Sequence, residues 1–236
     1  MIGEIVRELA GAVRGPQRKP TVILLSSTVL MIAWWYFGSP EFYLEHFAAA
    51  GGAPSAAPAV YYFVSCFLLL GAVPALVVKF VLREPLAHYG VQWGDRVRTF
   101  RSFLVLGPLF IVGGYISSRT PAVAAYYPIN QAACESAGAF AAHAFWYLLF
   151  YLGWEFHFRG FLQFGLRDSM GATNALLVQV MASSIVHFGK PGVETFAAIL
   201  GGILWGWIAY RTRSIVAGLG QHALLGLSLD FFLCRG

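Results

Sequence analysis

The stretch Gly153–Gly165, GWEFHFRGFLQFG, places Glu155, His157 and Arg159 inside a run otherwise apolar enough to lie in lipid. On a helix, Glu155 and Arg159 are four apart and share one face, while His157 points roughly to the opposite side. Glu155 and Arg159 therefore form one unit. An acid in hydrocarbon costs at least ~2.5 to 3.5 kcal/mol on insertion scales, so such a residue faces a partner or a polar cavity and marks a functional site by default. The bland alternative is an ion pair that only neutralises itself between packed helices.

Composition sets the class. The 236 residues are 58% hydrophobic and 11% charged, against roughly 25% charged in a typical soluble domain, and the mean hydropathy is +0.65. This is the profile of an all-α, polytopic membrane protein. The net charge of +5 does not indicate nucleic acid, because the Lys and Arg residues are spread between apolar runs and form no single basic face. Cys66, Cys134 and Cys234 are odd in number and lack CxxC spacing, so the sequence predicts neither a disulfide framework nor a structural zinc site.

The chain reads as three parts: a basic segment over 1–20, N-terminal transmembrane helices over 21–138, and a core over 139–233. About seven spans, between six and eight, are expected: 21–37 as a signal anchor, 59–82, 103–116, 139–167, 172–188, 193–210 and 214–233. Residues 38–58, rich in Gly and Pro, are expected to be a loop. With the N-terminus in the cytoplasm, 12 of the 16 Lys and Arg fall in cytoplasmic segments or at the cytoplasmic ends of spans (Lys79 and Arg167), 3 fall outside, and the last, Arg159, lies deeper within a span. That asymmetry follows the positive-inside rule. Gly202 and Gly206 form a GxxxG that signals close helix packing.

Two further polar residues belong to spans: His187, which ends the fifth in SSIVHFGKPGVE, and His222, within the seventh in GLGQHALLGLSLDF. With Glu155 they place one acid and two imidazoles on three helices, the set needed to activate water in a dry site. Glu194 and Asp230, near helix ends, are secondary candidates. Three chemistries fit. Two imidazoles and a carboxylate could hold zinc, although HExxH is absent. A metal-free route would use Glu155 as general base, His187 to position water, His222 at the oxyanion, and Arg159 to hold the Glu155 carboxylate. In the third, the same residues would serve a proton-coupled transporter, but no pair of broken helices stands in corresponding positions.

The order E-x-x-F-R-G, then a His closing a later helix, then a His in the last helix, resembles the CPBP family of CAAX-processing and bacteriocin-immunity-type intramembrane proteases. The resemblance covers 139–232. Family motif EExxxR falls on Trp154, Glu155 and Arg159, so its first Glu is missing. FxxxH falls on Ser183 and His187, and HxxxN falls on His222 and Gly226, each keeping only the His. In the family the first Glu activates water with the first His, while the last His and Asn form the oxyanion hole. The resemblance thus implies a four-helix catalytic core, a metal-free endopeptidase with no cofactor, and a membrane-anchored protein or peptide as substrate within the lipid bilayer. The departures imply either that Glu155 takes over as base and Asp230 replaces the Asn, or that this is an inactive binding or immunity relative. HFGKPGVE and the C-terminal segment also resemble bacterial, myxosortase-like members that process C-terminal sorting signals, which implies an inner-membrane location. Counted from the cytoplasmic helix ends at ~1.5 Å per residue, Glu155, His187 and His222 lie about 18, 24 and 14 Å deep, in the middle to outer half.

Overall fold

The computed structural model describes residues 1–12, 14–48 and 55–236, and every regular element among them is helical. Besides four-residue helical turns at Leu86–Tyr89, Pro121–Ala124 and Gln131–Cys134, these are, in chain order, α1 (Ile2–Ala12), α2 (Arg18–Phe37), α3 (Pro40–His46), α4 (Ala57–Leu82), α5 (Arg96–Ser118), α6, α7 (Ala172–Ile185), α8 (Gly192–Thr212) and α9 (Val216–Arg235). Helix α6 is the longest. It begins at Ala137–Glu155, widens without a break into π-helical turns over Phe156–Phe164, and returns to α-helix over Gly165–Met170.

The chain is an all-α polytopic membrane protein. Five helices, α2, α4, α5, α8 and α9, are long and apolar enough to cross a membrane, and α7 is a shorter apolar helix. The seven expected spans all coincide with helices, but two differ in kind. The span expected at 172–188 is helical only to Ile185. The one expected at 139–167 lies within α6, which is not among the five. The loop expected at 38–58 is a correction in part: Pro40–His46 is helical, capped by Ser39, whose hydroxyl accepts from the Phe42 N–H at 3.1 Å. Proline at the first helical position suits that start. Residues 49–54 of the same stretch lie outside the described residues.

The quoted stretch is the centre of the molecule. Every residue from Gly153 to Leu166 is buried, because α6 is packed by α2, α4, α7 and α9 together. Its closest neighbour is α4. A Cβ on Gly153 would lie 2.7 Å from the Phe67 Cα and 2.8 Å from the Cys66 carbonyl oxygen, so the two backbones touch there and only glycine fits. In contrast, α5 turns Leu104, Val105, Leu109, Val112 and Ile116 outward, the pattern of a helix against lipid, and packs its other side on α9.

The Gly202–Gly206 pair does pack closely, as its spacing predicts. Its two carbonyls also accept hydrogen bonds, from the Gln179 and Gln163 side chains at 2.8 Å each. Buried amides thus bind α6 and α7 to α8. Cysteine pairing corrects the sequence reading. Cys134 and Cys234 form a disulfide, leaving Cys66 as the buried free thiol. They are 100 residues apart, and only the antiparallel packing of α6 and α9 brings the start of one beside the end of the other.

Candidate active site

Glu155 ends the α-helical part of α6, and its carboxylate is shared by His222 and Arg159. Its Oε1 accepts from His222 Nδ1 at 2.9 Å and lies 3.1 Å from Arg159 Nη1. The Arg159 contact is an ion pair without an aligned hydrogen bond, since Nη1 and Nε find no partner in hydrogen-bond geometry. Oε2 packs on α9 where a Cβ at Gly218 would come within 2.6 Å. Glycine at 218 is what lets the carboxylate reach its histidine. The expected Glu155–Arg159 unit is thus present, and His157 points away from it, 3.1 Å from the Ser27 hydroxyl of α2.

Since His222 donates from Nδ1, its Nε2 is left for the space its ring borders. That space is a cavity of about 370 Å³ lined by Arg159, His187, Glu194, His222, Trp154 and Tyr151 among others. The His222 ring stacks on Trp205, centroids 4.2 Å apart, and the Arg159 guanidinium lies 5.6 Å from the same indole. Trp154, at the position of the family's first Glu, stands between the two histidines. Its ring is edge-on to His187 at 5.3 Å and to His222 at 6.5 Å. Glu155 is 0% exposed and sits one layer behind this wall.

His187 lies two residues past the end of α7, in the turn leading to α8. Its Nδ1 donates to the Ser183 carbonyl at 2.6 Å, which fixes the tautomer and leaves a lone pair on Nε2. That nitrogen is 3.9 Å from Glu194 Oε1. Glu194 also accepts from Lys190 Nζ and Tyr127 Oη, both at 2.8 Å. Burial alone would lower the Lys190 pKa, but Glu194 outweighs it and holds the ammonium above its usual range. Asp230 is elsewhere. Its Oδ2 pairs with His143 Nε2 at 2.9 Å, and both side chains are closed off, so its carboxylate is engaged away from the cavity and does not stand in for the missing Asn. Tyr151 does come to that place. A Cβ on Gly226 would fall 1.8 Å from its hydroxyl oxygen.

Sequence reasoning passed over Tyr151, His143, Lys190 and Tyr127. The first had a signal, because Tyr147, Tyr151, Glu155 and Arg159 recur every four residues along one face. Tyr127 and Lys190 are brought together only by tertiary packing. For zinc, the donors do not fit: among the described residues no three His, Cys, Asp or Glu side chains group as metal ligands. Glu155 meets His222 alone, and His187 lies across Trp154.

Residues 136–228 match the family model described as type II CAAX prenyl endopeptidase Rce1-like. The match supports membership of the CPBP family for this part of the chain. The CPBP domain takes in α6 to most of α9, and with them Glu155, Arg159, His187, Glu194 and His222. At the level of the family, the match supports an intramembrane peptidase. No curated protein and no solved structure matches the chain.

Proposed function

We propose that the chain is an intramembrane endopeptidase that hydrolyses a peptide bond of a membrane-anchored protein, such as a C-terminal sorting or anchor segment, inside the cavity between His187 and His222. The single observation that carries this reading is the Glu155–His222 contact at 2.9 Å beside a cavity that both histidines border. A buried carboxylate on Nδ1 supports a positive imidazole, and an imidazolium can donate from Nε2 to an oxyanion or to a departing amide nitrogen. Glu155 then acts on the reaction through His222, as the charge that makes it a strong donor. Arg159 keeps that carboxylate in place, and Tyr151, at the site of the absent Asn, offers a second donor. On the other side of Trp154, His187 offers a lone pair to water. The metal-free route is part of this proposal.

Location belongs to it as well: the inner membrane of a bacterium, N-terminus in the cytoplasm, with the site in the middle to outer half. The Cys134–Cys234 disulfide supports this orientation, since disulfides persist on the oxidising side and both cysteines lie in segments that the charge asymmetry puts outside.

The test is cleavage of single-span reporter proteins by purified protein in proteoliposomes. Cleavage by wild type and its loss in His187→Ala and His222→Ala is the expected outcome, with activity unchanged after prolonged chelation. A second reading has one observation in its favour: Trp154 fills the position of the family's first Glu. If the chain is an inactive binding relative, wild type will bind reporters and cleave none. Activity lost on chelation and restored by zinc would sink the metal-free part.

A further inference from the structure

Among the described residues that line the cavity, Glu194 is the one carboxylate. It stands at the start of α8, its side chain about one quarter exposed, and its bonds to Lys190 and Tyr127 both fall on Oε1. Oε2 is therefore the oxygen left for a ligand. Across from it, His187 Nε2 carries a lone pair because Nδ1 is committed to the Ser183 carbonyl. Two acceptors, a carboxylate and an imidazole nitrogen 3.9 Å apart, cannot bond each other without a proton between them. A molecule with two O–H bonds satisfies both.

We propose that Glu194 is a catalytic residue: with His187 it holds the hydrolytic water, and it takes that water's proton. This rests on the endopeptidase reading and names the base that the reading leaves open. One water O–H points to Glu194 and the other to His187 Nε2, which aims an oxygen lone pair at a peptide carbonyl lying across Trp154 toward His222. As the new C–O bond forms, the carbonyl π pair moves onto its oxygen, where His222 and Tyr151 donate, and the water proton passes to Glu194 Oε2. As the intermediate collapses, the C=O bond re-forms, the C–N bond breaks with its pair on nitrogen, and the proton on Glu194 is returned to that nitrogen. One water and one peptide bond give one carboxylic acid and one amine, and Glu194 ends ionised as it began. Lys190 and Tyr127 fix the carboxylate and offset its charge, so the water-facing oxygen is oriented before substrate arrives.

The competing account is that Glu194 only anchors the turn over 186–191 through Lys190 and Tyr127. The two accounts part on which variant is costly. In the proteoliposome assay, Glu194→Gln keeps size and shape but removes the base, and the expected loss in kcat is about 10³-fold, within the range of general-base deletions. Lys190→Met and Tyr127→Phe, which cut the anchor and leave the carboxylate, are expected to lose less than about tenfold each. Glu194→Asp retains a displaced base and should fall between, which also covers failure of the Gln variant to fold, checked by melting temperature. If wild type cleaves and Glu194→Gln stays within tenfold of it, or if the Lys190 and Tyr127 variants lose as much as Glu194→Gln, the role assigned to Glu194 is wrong while the endopeptidase reading stands. If wild type cleaves no reporter, both fall together.

Discussion

Helices α6 and α9 are clipped together twice by a carboxylate and an imidazole, and the two clips have opposite characters. In one, Glu155 of α6 meets His222 of α9. In the other, His143 of α6 meets Asp230 of α9. Each contact is 2.9 Å, and on helices rising ~1.5 Å per residue the two lie roughly 12 to 18 Å apart. What separates them is access. The Asp230–His143 side chains are 1% and 0% exposed, whereas His222 is 16% exposed and borders the cavity. Charge pairing alone does not distinguish chemistry from support in a membrane protein; one open edge does.

The sharpest break of this comparison is kinetic. Glu155→Gln and His222→Ala should each lower kcat/KM for reporter cleavage by about 10³-fold or more, while Asp230→Asn should leave kcat/KM, taken per folded molecule, within about threefold of wild type. Equal losses from Glu155→Gln and Asp230→Asn would show that access is the wrong criterion.

Next in size is stability. Removing one partner of a closed, buried pair leaves the other without its hydrogen bond, at about 1 to 3 kcal/mol. Asp230→Ala should therefore lower the melting temperature in detergent strongly, and adding His143→Phe to it should recover part of the loss. If the single variant melts like wild type, the closed clip contributes nothing and its resemblance to the open one is incidental.

Arg159 sharpens the comparison from the other side, since the Glu155 clip has a cation and the Asp230 clip has none among its contacts. Arg159→Lys keeps the charge but loses the planar group beside Trp205. We expect kcat to fall about 10- to 100-fold, with the melting temperature shifted less than in Asp230→Ala. A full-activity Lys variant would reduce Arg159 to a counter-charge.

The smallest effect is expected at a carboxylate in contact with water. Burial alone would raise the Glu84 pKa, but hydrogen bonds from Lys19 at 2.9 Å and Tyr89 at 2.8 Å outweigh it and hold the group below its ordinary 4.5. A depressed carboxylate stabilises the fold above its unfolded value, and that contribution is lost as pH falls through the folded one. The stability difference between wild type and Glu84→Gln, under about 1 kcal/mol near pH 7, should shrink steadily as the pH is taken down to about 3. Melting curves over that range check it, and a difference that grows on acidification would reverse the assignment.

Much of this was legible from the chain. Apolar runs located every long helix, because in lipid a backbone has to satisfy itself within the segment. The four-residue spacing gave the Glu155–Arg159 pair, which needs only helix geometry. Helix-end contacts were harder. Asp230 was visible as an acid in a span, but its partner His143 sits 87 residues earlier, and no local spacing connects them. The same holds for Tyr127 with Glu194, 67 residues apart. Trp154 was legible as a missing Glu, yet its place between two imidazoles depends on how α7 and α9 meet α6.

The Cys134–Cys234 bond makes the site-bearing half a covalent ring. Glu155, His187, Glu194 and His222 all lie inside it, on a closed loop of about 100 residues. In a chain-entropy view, closing a loop of that size removes about 4.7 kcal/mol of freedom from the unfolded state. A ring has no free end, so α9 cannot peel away and leave the other helices standing. A protease cut in the turn over 186–191 would also release nothing: its two fragments would travel as one chain until a reductant parted them.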